Sequence, residues 1–377
     1  MTKPNGRITI IGSLNTDFAT YTPRCPQAGE TLTATSHSIS AGGKGANQAV
    51  ACGRASFTTK TTQCAKVNMV GAVGANDPYY SALMRPLLET SGVSAAGVTE
   101  REDASTGSAT IIVEEVTGEN RIAVVPGANH LGMADLQEVV SRVEGGSAAG
   151  DTGSHEGNGD GNGAKVVVLQ GEIPRDTVLG LLRHYNTPPS SPASEAEATA
   201  GPAAAAAAHV VFNPAPVFPE GIPLDALRGT SVLVMNETEA VLMARSLEGF
   251  AVAHNDAEMA PEELARLLAP QFHTRADVGI VLITLGAKGA FFSTRSGVSG
   301  FVGAAAVEKV VDTTAAGDTF VGYFTTAFAR FVAEGKPLGE FDALVEGAVR
   351  TANRAAALCV QRRGAMQSIP FAYEVDA

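Results

Sequence analysis

Six short apolar runs punctuate the chain: RITIIGS (7 to 13), VNMVGAVG (67 to 74), KVVVLQGE (165 to 172), HVVFNPAP (209 to 216), SVLVMNETE (231 to 239) and GIVLITLG (279 to 286). Each is a block of apolar, largely β-branched residues closed by Gly, Asn or Pro. Unbroken apolar runs of this length predict strands buried on both faces of a parallel sheet. Alanine- and leucine-rich segments with helical spacing lie between most of them, such as PYYSALMRPLLETSG (78 to 92) and APEELARLLAPQF (260 to 272). The alternation predicts an α/β fold.

Two regions depart from it. FATYTPRCPQAGETLTATSHSIS (18 to 40) and TGSATIIVEEVTGENRIAVVPGAN (106 to 129) carry Thr, Val and Ile between turn residues with no helix, the pattern of antiparallel hairpins. They predict a small separate sheet, which at the carboxyl ends of the parallel strands would act as a lid. The stretches 145 to 164 and 187 to 208 are low-complexity Gly, Ser, Ala and Pro. Such compositions bury too little apolar surface to offset the entropy of ordering, so both are expected to be disordered insertions within one domain spanning 1 to 377.

Composition narrows the partners. The chain has 377 residues, 45% hydrophobic and 18% charged, enough to bury a large core. A net charge of −12 without any basic block argues against nucleic acid, though not against a small anion such as a nucleotide in a local pocket. Four cysteines without a C-x-x-C pair read as thiols in a reducing compartment. MTKPNGR leads straight into ITIIGS without the apolar segment of a secretory signal, and no run approaches the length of a membrane span. The expectation is a cytoplasmic protein, the nucleus not being closed to it, with no membrane partner.

The candidate chemistry lies in two glycine-containing strings. In DTTAAGDTFVGYFTTAF the residues Phe320, Val321, Phe324, Phe328, Phe331 and Val332 fall at helical spacing, so a helix starts near Ala315 to Asp318. Its first N–H groups belong to the small residues Ala315, Ala316 and Gly317, which let an anion approach the backbone at the positive end of the helix dipole. Asp318 there is either an acid that offsets the dipole or a base for a hydroxyl attacking a bound phosphate. The second string, AGGKGANQA (41 to 49), combines close backbone approach with Lys44 and Asn47. It is not a P-loop, because Gly45 follows Lys44 where Ser or Thr is needed, and GSLN (12 to 15) is not a dinucleotide fingerprint. Taken alone, Asn15 and Asp17 read as a turn after the first strand, and Glu172 as a helix-start acid.

Together these strings resemble the two signature regions of the phosphofructokinase-B, or ribokinase-like, family of sugar and nucleoside kinases. The resemblance extends through GSLNTD (12 to 17), GGKGANQA (42 to 49), TGSA (106 to 109), GEN (118 to 120), GAN (127 to 129), NPAP (213 to 216), NETEA (236 to 240), TLGAKG (284 to 289), DTTAAGD (312 to 318) and RRGAMQSIP (362 to 370). GGKGANQA is most similar to the members that act on D-ribose. The family implies a three-layer α/β/α fold with a mainly parallel sheet and a small β lid; an exposed small sheet has unpaired surface to cover, so a homodimer clasped through the lid is expected. The two low-complexity stretches have no counterpart in its common core.

Carried over residue by residue, the resemblance implies that Asp318 is the catalytic base and that the backbone of Ala315, Ala316 and Gly317 forms an anion hole with it. It assigns Asn15, Asp17, Gly43, Lys44, Gly45, Ala46, Asn47 and Glu172 to D-ribose. Asn236, Thr284, Leu285, Gly286, Ala287, Lys288, Gly289, Gly317, Asp318 and Asn353 fall to ATP. Glu239, closing Asn-x-x-Glu, falls to the Mg²⁺ environment, although NETEA also reads as a helix start with acids in its first turn. Asp312, Thr314, Cys359, Arg362, Gly364 and Ser368 fall to a monovalent cation, K⁺, several through backbone carbonyls. Pro78, Tyr79 and Tyr80 depart from the small residue and glycine usual after GAND, which bears on local helix packing rather than on chemistry. The implied reaction is transfer of the γ-phosphate of ATP to the 5-hydroxyl of ribose. Alternatives are a relative acting on deoxyribose, another sugar or a nucleoside, and a non-catalytic sugar or nucleotide sensor; a dehydrogenase lacks its fingerprint.

Overall fold

The computed structural model describes residues 6–116, 120–145, 165–187, 208–252 and 259–375. Apart from Gly145, Thr187 and Ala208, the expected insertions lie outside the described residues, as do Gly118 and Glu119 of the GEN string. In chain order the strands are β1 (Gly6–Ile11), β2 (Asn15–Thr22), β3 (Ser36–Gly42), β4 (Phe57–Thr59), β5 (Thr62–Gln63), β6 (Ala65–Gly74), β7 (Val93–Arg101), β8 (Gly107–Glu114), β9 (Asn120–Val125), β10 (Lys165–Leu169), β11 (Ala208–Phe212), β12 (Val232–Asn236), β13 (Ile280–Thr284), β14 (Gly289–Thr294) and β15 (Ser299–Gly303).

The six apolar runs become β1, β6, β10, β11, β12 and β13 of one sheet with the order β15-β14-β13-β12-β11-β10-β1-β6-β7. From β13 across to β7 all neighbours are parallel, and β14 and β15 add an antiparallel edge. Alternate residues enter opposite cores. Ile8, Ile10, Val166, Val168, Val232 and Val234 pack on one side with residues of the helices Lys44–Ala55, Ala316–Ala333 and Asp342–Cys359. Ile11, Val167, Leu169, Leu233 and Met235 pack on the other with residues of Arg175–Asn186, Glu237–Ser246 and Pro261–Ala276. Covering both faces is what makes the runs continuously apolar, and the result is three layers, α/β/α.

The lid is a four-stranded sheet in the order β3-β2-β8-β9. Its two hairpins are antiparallel, and β2 joins β8 in parallel. β2 starts at Asn15, earlier than the Thr/Val pattern marks, so Asn15 and Asp17 stand on a strand and not in a turn. Residues 80–90 are helical but open with a π turn, Tyr80–Met84, before Arg85–Thr90. Tyr79 meets Phe18 of β2 edge to face at 5.6 Å, so one of the residues that depart from the family pattern packs onto the lid.

Candidate active site

The loops after β1, β10, β11, β12 and β13 and the amino ends of Lys44–Ala55 and Ala316–Ala333 converge at the carboxyl edge of the parallel sheet, the usual location of ligand sites in such folds. Ala316–Ala333 begins as its spacing predicts. Its preceding residue, Ala315, has φ 61°, a left-handed conformation rare for a residue with a Cβ. Ala316 N–H is already engaged with the Thr313 carbonyl at 3.3 Å, which removes it from the expected anion hole. Gly317 and Asp318 follow in the first turn, where N–H groups have no intrahelical partner. Beyond its own helix backbone, a Cβ on Gly317 would meet no atom of the described residues within 4 Å, so the backbone there is open to a ligand.

Asp318 is buried, and both its oxygens accept amide hydrogen bonds: Oδ2 from Asn47 Nδ2 and Oδ1 from Gln48 Nε2, each at 2.9 Å. Residues 271 and 270 positions apart thus meet because the helices that follow the two glycine-containing strings pack side by side. Asn47 Oδ1 is buried without a hydrogen-bond partner among the described residues, an acceptor suited to a ligand hydroxyl.

The expected sugar residues are largely brought together here. Gly43 has φ 88°, and a Cβ at Gly42 would come within 2.1 Å of Asp17 Oδ2, so this pair of glycines lets the chain turn into the helix and seats the Asp17 carboxylate. Glu172 Oε2 accepts from Lys44 N–H at 2.9 Å and from Ser13 Oγ–H at 2.5 Å. It is a helix-start acid, but for Lys44–Ala55, a distant helix. Gly45 N–H reaches Ser13 Oγ at 3.3 Å, and Ala46 N–H bonds the Ser13 carbonyl at 2.9 Å, so these two backbone donors serve the fold. Asn15 Oδ1 accepts from Asn129 Nδ2 at 2.7 Å, and Asn129 is pinned to the Leu14 backbone by two further bonds.

Burial, then Glu172 and Asp318 nearby, push the Asp17 carboxyl up from 3.8 to about 7. Burial opposes the Lys44 ammonium, but Asp318, Glu172 and Glu239 together hold it above its usual range. Between pH 3.8 and about 7 the folded protein binds more protons at Asp17 than the unfolded chain does, so this group's contribution to stability falls as pH rises through that window. Asp17→Asn is therefore expected to raise Tm by a few degrees at pH 8 and hardly at all near pH 4, measured by scanning calorimetry. Equal shifts at both pH values would show that Asp17 carries no such burden.

On the nucleotide side, Asn236 and Glu239 form a reciprocal capping box: Glu239 N–H donates to Asn236 Oδ1 at 2.8 Å, and Asn236 N–H to Glu239 Oε2 at 2.9 Å. Burial raises the Glu239 carboxyl, against the Asn236 backbone bond and Lys44. The loop Thr284 to Gly289 holds a short 3₁₀ turn closed by Lys288 N–H to the Leu285 carbonyl at 3.1 Å, its ends tied by Leu285 N–H to the Gly289 carbonyl at 2.7 Å, while the Leu285 side chain is buried in the core. Asn353 Nδ2 is spent on the Val302 and Gly303 carbonyls of β15, at 3.1 and 3.2 Å.

The expected cation residues also gather. Asp312 accepts from Thr314 N–H at 2.9 Å and Gly364 N–H at 3.0 Å, tying the two loops together, and Cys359 Sγ lies 3.1 Å from Ser368 Oγ. The Arg362 side chain pairs with Glu374, leaving only its backbone for a cation. Among the described residues no cluster of three or more His, Cys, Asp or Glu side chains could hold a metal, and all four cysteines are free. A cavity of about 210 Å³ lined by Ser231, Ile280, Phe328 and Asp342 sits at the opposite, amino ends of β12 and β13 and contains none of the expected residues.

Four amides and a hydroxyl were not singled out as site residues beforehand: Ser13, Gln48, Asn129, Gln170 and Asn213. Asn129 and Asn213 lie in GAN and NPAP, two of the strings that carry the family resemblance, which was a usable signal.

The pfkB family carbohydrate kinase model matches residues 5–147 and 186–372, and the chain belongs to that family. Among its relatives, a ribokinase of Schizosaccharomyces pombe is 34% identical over 98% of this chain and 96% of that protein. A ribokinase of Haemophilus influenzae is 32% identical over 97% and 96%. The solved structure of ribokinase from Giardia lamblia superimposes with a TM-score of 0.74 at 28% identity, covering 98% of this chain and 99% of that one. Arabidopsis thaliana ribokinase complexed with ribose and ATP gives 0.65 at 26% identity, covering 98% and 97%.

Proposed function

We propose that this protein transfers the γ-phosphoryl group of ATP to the 5-hydroxyl of D-ribose, giving D-ribose 5-phosphate and ADP. The observation that carries the reading is Asp318: an acid at an open helix start, with both oxygens fixed by amide donors and a glycine without steric neighbours before it. A carboxylate that only accepts hydrogen bonds is ready to take a proton. The ribose hydroxyl gives its proton to Asp318 while its oxygen forms the new bond to phosphorus, and the bond to the β-phosphate oxygen breaks to release ADP. The N–H groups of Gly317 and Asp318 stabilise the transferring group. Ala315 and Ala316 shape that turn.

Asp17, Asn47 Oδ1, Asn15 and Glu172 receive the sugar's hydroxyls, with Gly43 to Ala46 forming the floor and Lys44 reaching toward phosphate. Ionised Asp17 accepts from two hydroxyls, so the KM for ribose falls as pH rises through about 7. Asn236, the loop Thr284 to Gly289 and Asn353 line the nucleotide. Glu239 is suited to Mg²⁺ held mostly by water and phosphate oxygens, because hard cations in phosphoryl-transfer sites need few protein ligands. Bound there, Mg²⁺ would neutralise phosphate charge. The loops around Asp312 and Thr314 and those from Cys359 to Ser368, rich in carbonyls, suit K⁺ beside the helix start.

The relatives named ribokinase, and the one complexed with ribose and ATP, support the substrates. A homodimer through the lid is favoured by Ile122, Val124 and Val125, exposed apolar residues on the edge strand β9. A cytoplasmic setting accords with four free thiols, and among the described residues no helix is long and apolar enough to cross a membrane. A panel of ribose, deoxyribose, fructose and nucleosides tests the acceptor: kcat/KM is expected to be highest for ribose, and a higher value for a nucleoside would replace the reading with that of a nucleoside kinase. Ribose binding by calorimetry without ATP turnover would favour a sensor.

A further inference from the structure

We propose that Gln48 is a positioning residue that fixes the plane of the Asp318 carboxylate; the proposal rests on Asp318 being the base. Gln48 is completely buried, and its amide is saturated by partners on three other elements. Nε2 donates to Asp318 Oδ1 at 2.9 Å and to Asn213 Oδ1 at 3.0 Å, while Oε1 accepts from Gln170 Nε2 at 2.8 Å. Asn213 is itself held, its Nδ2 donating to the Val234 carbonyl at 2.9 Å. Turning the Gln48 amide over would set its oxygen against two acceptors and its nitrogen against a donor, so one orientation is enforced.

Gln170 bears on the same point. Its Oε1 is buried without a hydrogen-bond partner among the described residues, and a Cβ at Gly12 would stand 2.0 Å from it. With Nε2 aimed at Gln48, the carbonyl is left orphaned, an arrangement that costs stability. The chain Gln170 to Gln48 to Asp318 thus runs from the end of β10 through the helix Lys44–Ala55 to the base. Asn47 grips Oδ2 alone, and about that single bond the carboxylate could swing; the Gln48 bond to Oδ1 removes that freedom and leaves the remaining lone pairs for the incoming hydroxyl. Asn47 also presents an oxygen to ligand, whereas every polar atom of Gln48 is occupied by protein.

The test compares Gln48→Met, Gln170→Met and the double variant with the unsubstituted protein, reading kcat, ribose KM, ribose affinity by calorimetry and Tm. Gln48→Met is expected to lower kcat about 10- to 100-fold, the scale of one hydrogen bond to a charged group. Ribose KM and affinity should stay within about threefold, because Gln48 does not reach ligand. Gln170→Met should lower kcat less, and the double variant should be no worse than Gln48→Met, since both act through one amide. The proposal is overturned if kcat is retained, if ribose affinity falls in step with kcat, or if the two losses multiply. Should Gln48→Met not fold, Gln48→Glu keeps the shape and decides alone: it places an oxygen against Asp318 and is expected to cut kcat further, and turnover like the unsubstituted protein's would overturn the role. Absence of turnover in the unsubstituted protein overturns the kinase reading and this proposal with it, whereas normal turnover with undiminished variants overturns the positioning role alone.

Discussion

Asp318→Asn is expected to lower kcat by about 10²-fold or more with ribose and ATP, measured as ADP release at saturating substrates. An amide has the shape of the carboxylate but takes no proton from a hydroxyl. Asp318 accepts from Asn47 Nδ2 and Gln48 Nε2 at once, so in the variant one of these donors faces the new NH₂ group. That mismatch costs about 1–3 kcal/mol and lowers Tm by a few degrees without unfolding the protein. Turnover within about threefold of the unsubstituted protein would remove Asp318 from the chemistry.

Gly317→Ala is expected to separate stability from activity in opposite directions. Beyond its own helix backbone, the added methyl would meet no atom of the described residues within 4 Å, and Gly317 stands in the helix Ala316–Ala333, where alanine restricts the unfolded chain more than glycine does. Stability should be unchanged or higher by about 0.4–1 kcal/mol. The methyl does, however, occupy the space in which a phosphoryl group approaches the backbone, and a displacement of about 1 Å there is enough for a loss on the order of 10²-fold in kcat. A variant that is both more stable and fully active would show that the open space at Gly317 is not where phosphate lies.

How much of this was legible in advance differed by element. The six buried strands announced themselves because strands packed on both faces need continuous apolar residues, as Ile8 to Ile11 and Val166 to Leu169 have. β7, with Gly and Ala in VSAAGVTER, and the hairpin β14–β15 at the far edge carry weaker patterns, and neither stood out among the runs. Asp17 was readable as a turn residue because the strand that holds it is polar on the face toward the site. Glu172 belonged to a helix start, but to that of Lys44–Ala55, and only tertiary contact could tell which. The amides Gln48, Gln170 and Asn213 were hidden for the same reason: they meet because β10 and β11 are neighbours beneath one helix, and no local spacing encodes that meeting. Asn353 and Ala316 were the reverse case. The motifs mark them for ligand, yet Asn353 Nδ2 and the Ala316 N–H are committed to backbone carbonyls.

The most direct test of the central claim is to incubate the protein with Mg²⁺, K⁺, ATP and D-ribose and to follow both products by ³¹P NMR. ADP and a phosphomonoester are expected in equal amounts, the ester coupled to the two protons of carbon 5, with no ADP formed when ribose is left out. ADP formed independently of ribose, or a phosphoryl group carried on another hydroxyl, would contradict it.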